Sequence, residues 1–507
     1  LSDLSPDHLD RIHRFVRLQR RLSWSINELD AAIKATGKPV GTIDLHELAS
    51  LVQIHELLDL PILTICNWWS TENSNEVRQR HLARAFGTTA TEVVHAIDLM
   101  QGLPQAPSDP FASIESLYEF CKHFRNLQKS GISFSDLRYL LKHEELETLT
   151  SDIILRNEPV AMLANAIREG LKSHKDVSDQ ALPSLPTSLT DKLSEIHEKI
   201  NRKLAEFPRT LSELPAFVAK LSTDFLAIPV GEEDKDAAIR SQLARWIEAT
   251  ISKQVAEEDV ITSVLATQLG VGREMIETLL FVALSEATVP IIAVLRNDWF
   301  RATESTPMPD AAKGLLIRLH KAVVICSALN LSSNDLTLLQ RRTAGSNATV
   351  FTVLDFQTLP TNPNTDSSCL VGFERLLALA NLRSLAPGMV KLLHQFAITT
   401  FADIEDIHKL LGASLGLPSD QVQEAMKRLN ITSVDRSRDP INLTYAFELL
   451  IALKQFGATV SQVEQLVKDE PEAADADVAK KLLCQKYSDS KWRDIIKPIS
   501  DALRERQ

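Results

Sequence analysis

Apolar residues recur every three or four positions along most of the chain, which is the period of an amphipathic α-helix. Four segments repeat one order of elements: a helix, a short turn and a second helix. They read LDRIHRFVRLQRRLSWSINELDAAI from Leu9, LYEFCKHFRNLQKSGISFSDLRYLL from Leu117, LIRLHKAVVICSALNLSSNDLTLLQ from Leu316 and YAFELLIALKQFGATVSQVEQLV from Tyr445. No such helix can bury its apolar face alone, so the pattern predicts an all-α fold of stacked antiparallel helix hairpins in two or more lobes.

The turn of each long repeat has a Ser or Thr three positions before an acidic residue or Gln. Such a pair can form a capping box, in which each side chain accepts a hydrogen bond from the backbone N–H of the other residue. The pairs are Ser25 with Glu28, Ser133 with Asp136, Ser332 with Asp335, and Thr459 with Gln462. These eight residues are predicted to act as structural caps.

Three shorter repeats place a glycine between two helical segments. They read LARAFGTTATEVVHAI from Leu82, LATQLGVGREMIETLL from Leu265 and LGASLGLPSDQVQEAM from Leu411, with the glycines at Gly87, Gly270 and Gly416. A glycine at the end of a helix can adopt the left-handed conformation that closes it. The same role is predicted for Gly131 and Gly457 in two of the longer repeats.

Two stretches interrupt the repeats. Pro183 and Pro186 end the first set, and a connector helix with heptad-like spacing is predicted from Leu189 onward. Residues 345–370 lack the helical period, which predicts a long, irregular, exposed loop with room for a short strand. The resulting division is an N-terminal helical lobe at 1–182, connector helices and a middle helical region at 183–310, and a C-terminal helical lobe at 311–507.

Composition narrows the possible partners. The 507 residues are 44% hydrophobic and carry a net charge of −12, so the chain as a whole repels the phosphate backbone, and nucleic acid is not an expected partner. The five cysteines are scattered, so the fold is not expected to rest on disulfides. The most apolar stretch, from Leu279 to Leu295, is broken by polar residues and Pro290, which favours a buried helix over a membrane span.

Motifs for catalysis are incomplete. The sequence HELLD from His55 has Asp59 where a zinc-binding helix would place its second histidine, so it is more simply the polar face of an amphipathic helix. The segment ATGKPVGT from Ala35 lacks the glycine pattern of a phosphate-binding loop, and no nucleophile elbow is present. The sequence therefore predicts a protein that is not an enzyme, with no catalytic, cofactor-binding or metal-binding residues.

Histidines are the residues most suited to respond to physiological changes in pH. Of the thirteen in the chain, five lie in or beside predicted helices and are candidate pH-responsive residues: His13, His123, His143, His320 and His394. Histidines on solvated helix faces, coupled to no conformational change, are the simpler alternative.

Several of these segments share their order and wording with a known family. They are the first long repeat, GISFSDLRYLLKH from Gly131, LLIRLHKAVVICSALNLSSNDL from Leu315 and GFERLLALANLRSL from Gly372. Together they resemble the A component of the insecticidal Tc toxin complexes, in the region related to virulence-plasmid A proteins. The arginine-rich first helix, leading to Trp24 and the Glu28-Leu29-Asp30 turn, is the most specific part of a resemblance that runs along most of the chain.

The resemblance implies an α-helical shell segment of a secreted or cell-surface toxin of bacterial or related source. In that family the shell surrounds the translocation channel of a homopentameric, pore-forming particle and opens with pH to deliver a toxic enzyme into a host cell. The implied partners are further copies of the full-length parent, the B and C components through regions that this sequence does not include, and a host receptor or glycan through inserted domains. No direct membrane insertion by this segment is expected.

Two alternatives remain open at the level of sequence. The first is a free-standing helical-repeat scaffold that binds partner proteins in a groove between its lobes. The second is a metal-dependent hydrolase that uses His55 and Glu56. The polar opening LSDLSPDHLDR leads us to expect the interior of a longer polypeptide, which favours the shell interpretation over the scaffold.

Overall fold

A computed structural model gives the fold of the chain. It describes residues 6–22, 24–36, 45–69, 74–101, 103, 109–144, 158–174, 183, 237–284, 291–296, 298–301, 307–339, 351–364, 366–385, 389–399, 401, 403–466, 472–486 and the single positions 491, 494 and 497. Throughout these ranges the regular structure is helical and no strand occurs. The predicted all-α class is confirmed. The connector helix expected from Leu189 lies outside the described residues.

The first part of the chain forms helices α1 (Pro6–Leu22), α2 (Ile26–Ala35), α3 (Leu45–Leu58), α4 (Ile62–Cys66), α5 (Asn75–Phe86), α6 (Ala90–Met100), α7 (Ile114–Gln128), α8 (Phe134–Lys142), α9 (Glu158–Ser173), α10 (Ala237–Leu269) and α11 (Arg273–Thr278). The second part forms α12 (Asp310–Ala328), α13 (Ser333–Leu339), α14 (Ser368–Leu385), α15 (Met389–Ile398), α16 (Ile404–Leu415), α17 (Ser419–Arg428), α18 (Val434–Ser437), α19 (Pro440–Phe456), α20 (Val460–Leu466) and α21 (Ala473–Lys486). Short 3-10 helices occur at Asn67–Trp69, Ile291–Arg296, Asp298–Phe300 and Phe356–Thr358, and a π-helical turn at Leu279–Ala283.

The described chain divides into two compact units. The first contains residues 1–337 and 354–374, and the second contains 338–353 and 375–507. Helix α12 belongs to the first unit and packs on α9. The division predicted from the sequence places α12 in the C-terminal lobe. The three predicted regions stay a prediction, because most of residues 175–236 lies outside the described ranges.

The short repeats form pairs of helices in contact: α5 with α6, α10 with α11, and α16 with α17. The long repeat at Leu117 is arranged differently, since α7 packs chiefly on α3 and α8 chiefly on α6. A cluster of rings at Phe86, Phe124 and Phe134 joins α5, α7 and α8, with ring centroids 4.2 Å and 4.4 Å apart. The stacking of hairpins therefore stays a prediction. The contacts described here form because each helix buries one apolar face.

The turns of the long repeats contain the capping contacts. Glu28 N donates to Ser25 Oγ at 3.2 Å while Ser25 N donates to the Glu28 carboxylate at 2.8 Å. The same reciprocal pair joins Ser332 with Asp335 and Thr459 with Gln462. At Ser133 the backbone of Asp136 donates to the hydroxyl, which itself donates to the Asp136 carboxylate. Each cap satisfies a backbone N–H that the helix leaves unpaired.

Left-handed residues close the preceding helices. The five glycines that the repeats single out all have positive φ: Gly87, Gly131, Gly270, Gly416 and Gly457. At Asn330 and Asn430 an asparagine takes this conformation instead, as its short polar side chain permits.

Residues 351–364 are irregular, as the sequence predicts, with one short 3-10 helix and no strand, and residues 362–364 are exposed. The predicted exposure is wrong for residues 351–360, where the apolar side chains are buried. Phe351, Leu354, Phe356 and Leu359 are each at most 2% exposed. A Cβ on Gly372 would lie 2.9 Å from the Leu354 Cα, so the segment passes too close to α14 for a larger residue. The prediction fails because these apolar residues are spaced irregularly and are buried by tertiary contacts, which a periodicity test cannot detect.

The apolar stretch at 279–295 contributes buried residues to the core, although Val282 is 40% exposed, and it is not one helix. Leu279, Leu280, Ile292 and Leu295 are fully buried in a π-helical turn and a 3-10 helix. Among the described helices none is by itself long and apolar enough to cross a bilayer; α12 and α13 together reach that length and apolarity, but the chain bends by 110° between them.

The conformation of Gly87 predicts opposite effects of alanine at two glycines of the first unit. Gly87 has φ of +66° with no atom within 4 Å of the place that a Cβ would take, whereas Gly314 lies inside α12 and its Cβ would meet only Thr361 Cγ2 at 3.7 Å. We expect Gly87→Ala to lower the free energy of unfolding by about 1 kcal/mol through backbone strain, and Gly314→Ala to raise it by about 0.5–1 kcal/mol. Chemical denaturation measures both, and equal effects would contradict the left-handed cap.

Candidate functional site: a buried lysine and two histidines

The C-terminal end of α8 is buried, and two of its carbonyl groups accept hydrogen bonds from distant parts of the chain. A helix leaves its last four carbonyls without partners inside the helix. The Tyr139 carbonyl accepts from the His143 backbone N–H at 3.0 Å, and the Lys142 carbonyl accepts from the Asn364 N–H at 2.8 Å. The Leu140 carbonyl accepts from Lys321 Nζ, on α12, at 3.2 Å.

Lys321 is completely buried in the middle of α12. Its Nζ also donates to the Pro360 carbonyl at 2.8 Å and lies 4.7 Å from the centroid of the Tyr139 ring. One amine therefore connects α12 with the end of α8 and with the irregular segment at residues 351–360. Burial disfavours the charged ammonium and lowers the pKa of Lys321 from 10.5 to about 7.

Two histidines lie beside this lysine. His320 is its neighbour on α12 and is 7% exposed. His143 follows α8 with φ of +54°, and its ring centroid is 5.3 Å from that of Tyr139. Burial first, and then the charge of Lys321, lower the pKa of each histidine to about 4. The buried Nδ1 atoms of both rings have no hydrogen-bond partner among the described residues.

Charged groups on the neighbouring elements complete the surroundings. On α8, Lys142 is buried and its Nζ donates to the Asp98 carbonyl at the end of α6 at 2.8 Å, and burial lowers its pKa. Arg138 pairs with Asp98 at 3.3 Å and with Glu144. On α12, Lys313 contributes to the lowered pKa of His143. The two carboxylates are paired with Arg138, so the interior around Lys321 has an excess of groups that become positive on acidification.

The other three candidate histidines lie elsewhere. His13 on α1 and His394 on α15 are exposed. His123 is mostly buried, with Nδ1 2.7 Å from Glu374 Oε1. The structure thus brings His143 and His320 together around Lys321, and the remaining candidates do not join them. The eight capping residues are spread over four separate turns.

Sequence reasoning missed Lys321 and one further histidine. The signal for Lys321 was its place in LHKAVVICSALNL, where apolar residues flank a lysine on both sides along the buried face of a helix. His408 on α16 is buried, and burial lowers its pKa. It lies in the second unit among leucines at helical spacing, a context that the sequence does not distinguish from that of a solvated histidine.

The described residues offer little for covalent or metal chemistry. No group of three or more His, Cys, Asp or Glu side chains within them could hold a metal ion. His55 Nδ1 donates to the Leu60 carbonyl at 2.6 Å, a contact that fixes the ring against the backbone. Burial raises the pKa of the Cys66 and Cys326 thiols to about 12, which keeps both groups protonated at neutral pH.

Comparison with known proteins adds no relative: no family model, no curated protein and no solved structure matches the chain.

His320 and the partly buried His143 predict a loss of stability in acid. A histidine whose pKa is lowered in the folded state binds its proton more readily when unfolded, so stability is full above about pH 6.5 and falls as the pH drops to about 4. We expect His143→Asn combined with His320→Phe to remove part of this loss in the free energy of unfolding, on the order of 3 kcal/mol at the buried His320 and less at the partly exposed His143. Denaturation curves over this pH range measure it.

The control for that experiment is His13→Asn combined with His394→Asn, because both of these side chains are exposed. This variant should keep the wild-type dependence on pH. If the two double variants lose stability in acid equally, the buried pair does not cause the acid sensitivity.

Lys321 predicts a gain of stability in mild alkali. Its lowered pKa means that the unfolded chain holds the proton up to about pH 10.5 while the folded chain releases it near pH 7, so stability rises with pH between these values. Lys313, whose side chain is exposed on the same helix, provides the control. Between pH 7 and about pH 9, the free energy of unfolding should rise by about 2 kcal/mol less in Lys321→Met than in Lys313→Met. Equal changes in the two variants would rule out a neutral buried amine.

Proposed function

We propose that the chain is a non-enzymatic α-helical shell segment of a Tc-type toxin A subunit, which protects a translocation channel and helps the particle to open with pH. The observation that carries the proposal is the group formed by the buried Lys321 and His320 and the partly buried His143. Burial lowers the pKa of each of these residues, so the folded chain favours their uncharged forms. A fall in pH therefore favours states in which the residues reach solvent and can bind a proton.

The position of the group makes this sensitivity relevant to opening. Lys321 joins α8 and α12 to the segment at Leu359 and Pro360, and Arg318 holds the Leu359 carbonyl at 3.2 Å. Protonation of His320 and His143 places positive charges beside Lys321 in a region of low dielectric, where repulsion is strong. Separation of the irregular segment from α12 is the step that would relieve it.

The group acts in acid only. Deprotonation of Lys321 at high pH removes a buried charge and stabilises the folded chain, so these residues give no reason for the shell to open in alkali. An opening at alkaline pH would require other residues.

A partner-binding helical scaffold is the second candidate, supported by the all-α fold and the two compact units. In that case the buried group would serve folding alone. The toxin assignment itself rests on the resemblance of the sequence segments and on the acid-sensitive interior, and it includes the pentameric parent, the B and C components and a host receptor as proposed partners.

The size of the natural polypeptide separates the two candidates. An immunoblot of source cells with antibody raised against this chain should show a band several times heavier than 56.4 kDa if the chain belongs to a toxin subunit. A band near 56.4 kDa would favour the scaffold.

The full-length parent tests the pH role directly. We expect its particle, imaged by negative-stain electron microscopy across a pH series, to open in acid, and the variant with His143→Asn and His320→Phe to open only at lower pH. The variant with His13→Asn and His394→Asn serves as control. An opening pH that is the same in all three proteins would exclude the buried group as the trigger.

A further inference from the structure

Helix α1 exposes an apolar strip that the rest of the described chain leaves uncovered. Leu9, Ile12 and Val16 are 55%, 51% and 39% exposed. They are spaced at three and four positions, so they lie within an arc of about 60° on one side of the helix. Six of the twelve large hydrophobic side chains that are exposed in the described ranges fall within the first 63 positions, and three of the six belong to this strip.

A different side of α1 faces the protein. Phe15, Leu18, Gln19 and Leu22 are partly buried, and Gln19 Nε2 donates to the Trp24 carbonyl at 2.5 Å. These four residues share one arc next to the apolar strip. Leu9, Ile12 and Val16 lie outside this partly buried side and are more exposed than its residues.

Arginines lie on the other side of the apolar strip. Helix α1 has five arginines against two aspartates, while the whole chain has a net charge of −12. At about 100° per residue, Arg20, His13 and Arg17 follow the apolar strip around the helix. All three are exposed. An exposed apolar edge thus runs beside an exposed arginine row.

We infer that α1 is a docking surface for an anionic lipid bilayer, on which it lies parallel to the membrane plane. The apolar edge matches the acyl region below the headgroups, and the arginine row matches the phosphates beside it. Adsorption of this kind needs no complementary shape in the partner, whereas a stable protein interface engages about 20–30 residues on each side, many more than this narrow edge provides. The negative charge on the rest of the chain is screened beyond about 10 Å at ordinary ionic strength, so the charge of α1 governs the contact.

The proposal does not depend on the toxin assignment or on the buried histidines. It concerns only adsorption to a bilayer surface at neutral pH, and it involves no crossing of the membrane. Its failure would leave the acid-sensitive interior unaffected.

Vesicle sedimentation of the full 507-residue chain tests the inference. We expect the chain to sediment at pH 7 with vesicles of phosphatidylcholine and phosphatidylglycerol, and not with phosphatidylcholine alone. Arg17→Glu with Arg20→Glu should weaken binding at least about tenfold. Each substitution removes the attraction of an arginine to the anionic surface and adds the repulsion of a glutamate. Ile12→Ser with Val16→Ser should weaken binding similarly, and added salt should weaken that of the wild type.

Two matched controls separate the strip from general charge and hydrophobicity. Lys409→Glu with Arg428→Glu changes the net charge equally at exposed sites on α16 and α17. Val390→Ser with Phe456→Ser removes two apolar side chains that are 49% and 55% exposed. Both control variants should bind as the wild type does, and circular dichroism should show equal helix content in all variants.

Three results would overturn the inference. The first is no binding to anionic vesicles, and the second is equal loss of binding in the controls. The third is self-association in solution, measured by sedimentation velocity, that Ile12→Ser with Val16→Ser abolishes while no vesicle binding occurs. That third result would assign the strip to a second copy of the chain.

Discussion

The buried end of α8 is the constraint on which the candidate site depends. Carbonyl groups at the end of a helix must find donors, and in a protein interior water cannot supply them. Here the donors come from Lys321 on α12 and from the backbone of Asn364. A lysine that satisfies carbonyls must lie inside the protein, and its charge is then unfavourable. The lowered pKa of Lys321 follows from this requirement of hydrogen bonding, and the charge of Lys321 adds to the effect of burial on the pKa of His143 and His320.

Local features of the fold could be read from the sequence, because the interactions that form them are local. Ser25 and Glu28 are three positions apart, and Gly87 closes the helix directly before it, so both follow from spacing and residue type. The period of apolar residues indicated the all-α class for the same reason. Partners far apart in the chain could not be read in this way. The Lys321 amine meets carbonyls 181 and 39 positions away, and no pattern in one sequence indicates such a pairing.

The histidines illustrate the same limit. His143 and His394 are similar by sequence, since each lies in or beside an amphipathic helix. Tertiary packing places one against Tyr139 and Lys321 and leaves the other exposed. Burial, which decides the pKa, is set by which face of a helix meets another element. The residues at 351–360 were misjudged for a related reason: their polar neighbours suggested exposure, while Phe356 and Leu359 fill the interior.

The interior and the surface of the first unit have distinct roles in this account. Lys321, His320 and His143 make the packing of α8 and α12 sensitive to acid, and in the proposed function this sensitivity helps a toxin shell to open. Helix α1 contributes an exposed apolar edge and an arginine row, which concern what the outside of the protein meets. The two features use different physics, burial of ionisable groups in one case and an amphipathic surface in the other, so each can hold without the other.

Direct titration of the two buried histidines tests the central claim. NMR of the chain with ¹³C-labelled histidine rings, assigned with His143→Asn and His320→Phe, reports the protonation of each ring separately. The account predicts that both resonances titrate near pH 4. Titration of either ring near its ordinary pKa of about 6.5 would contradict it.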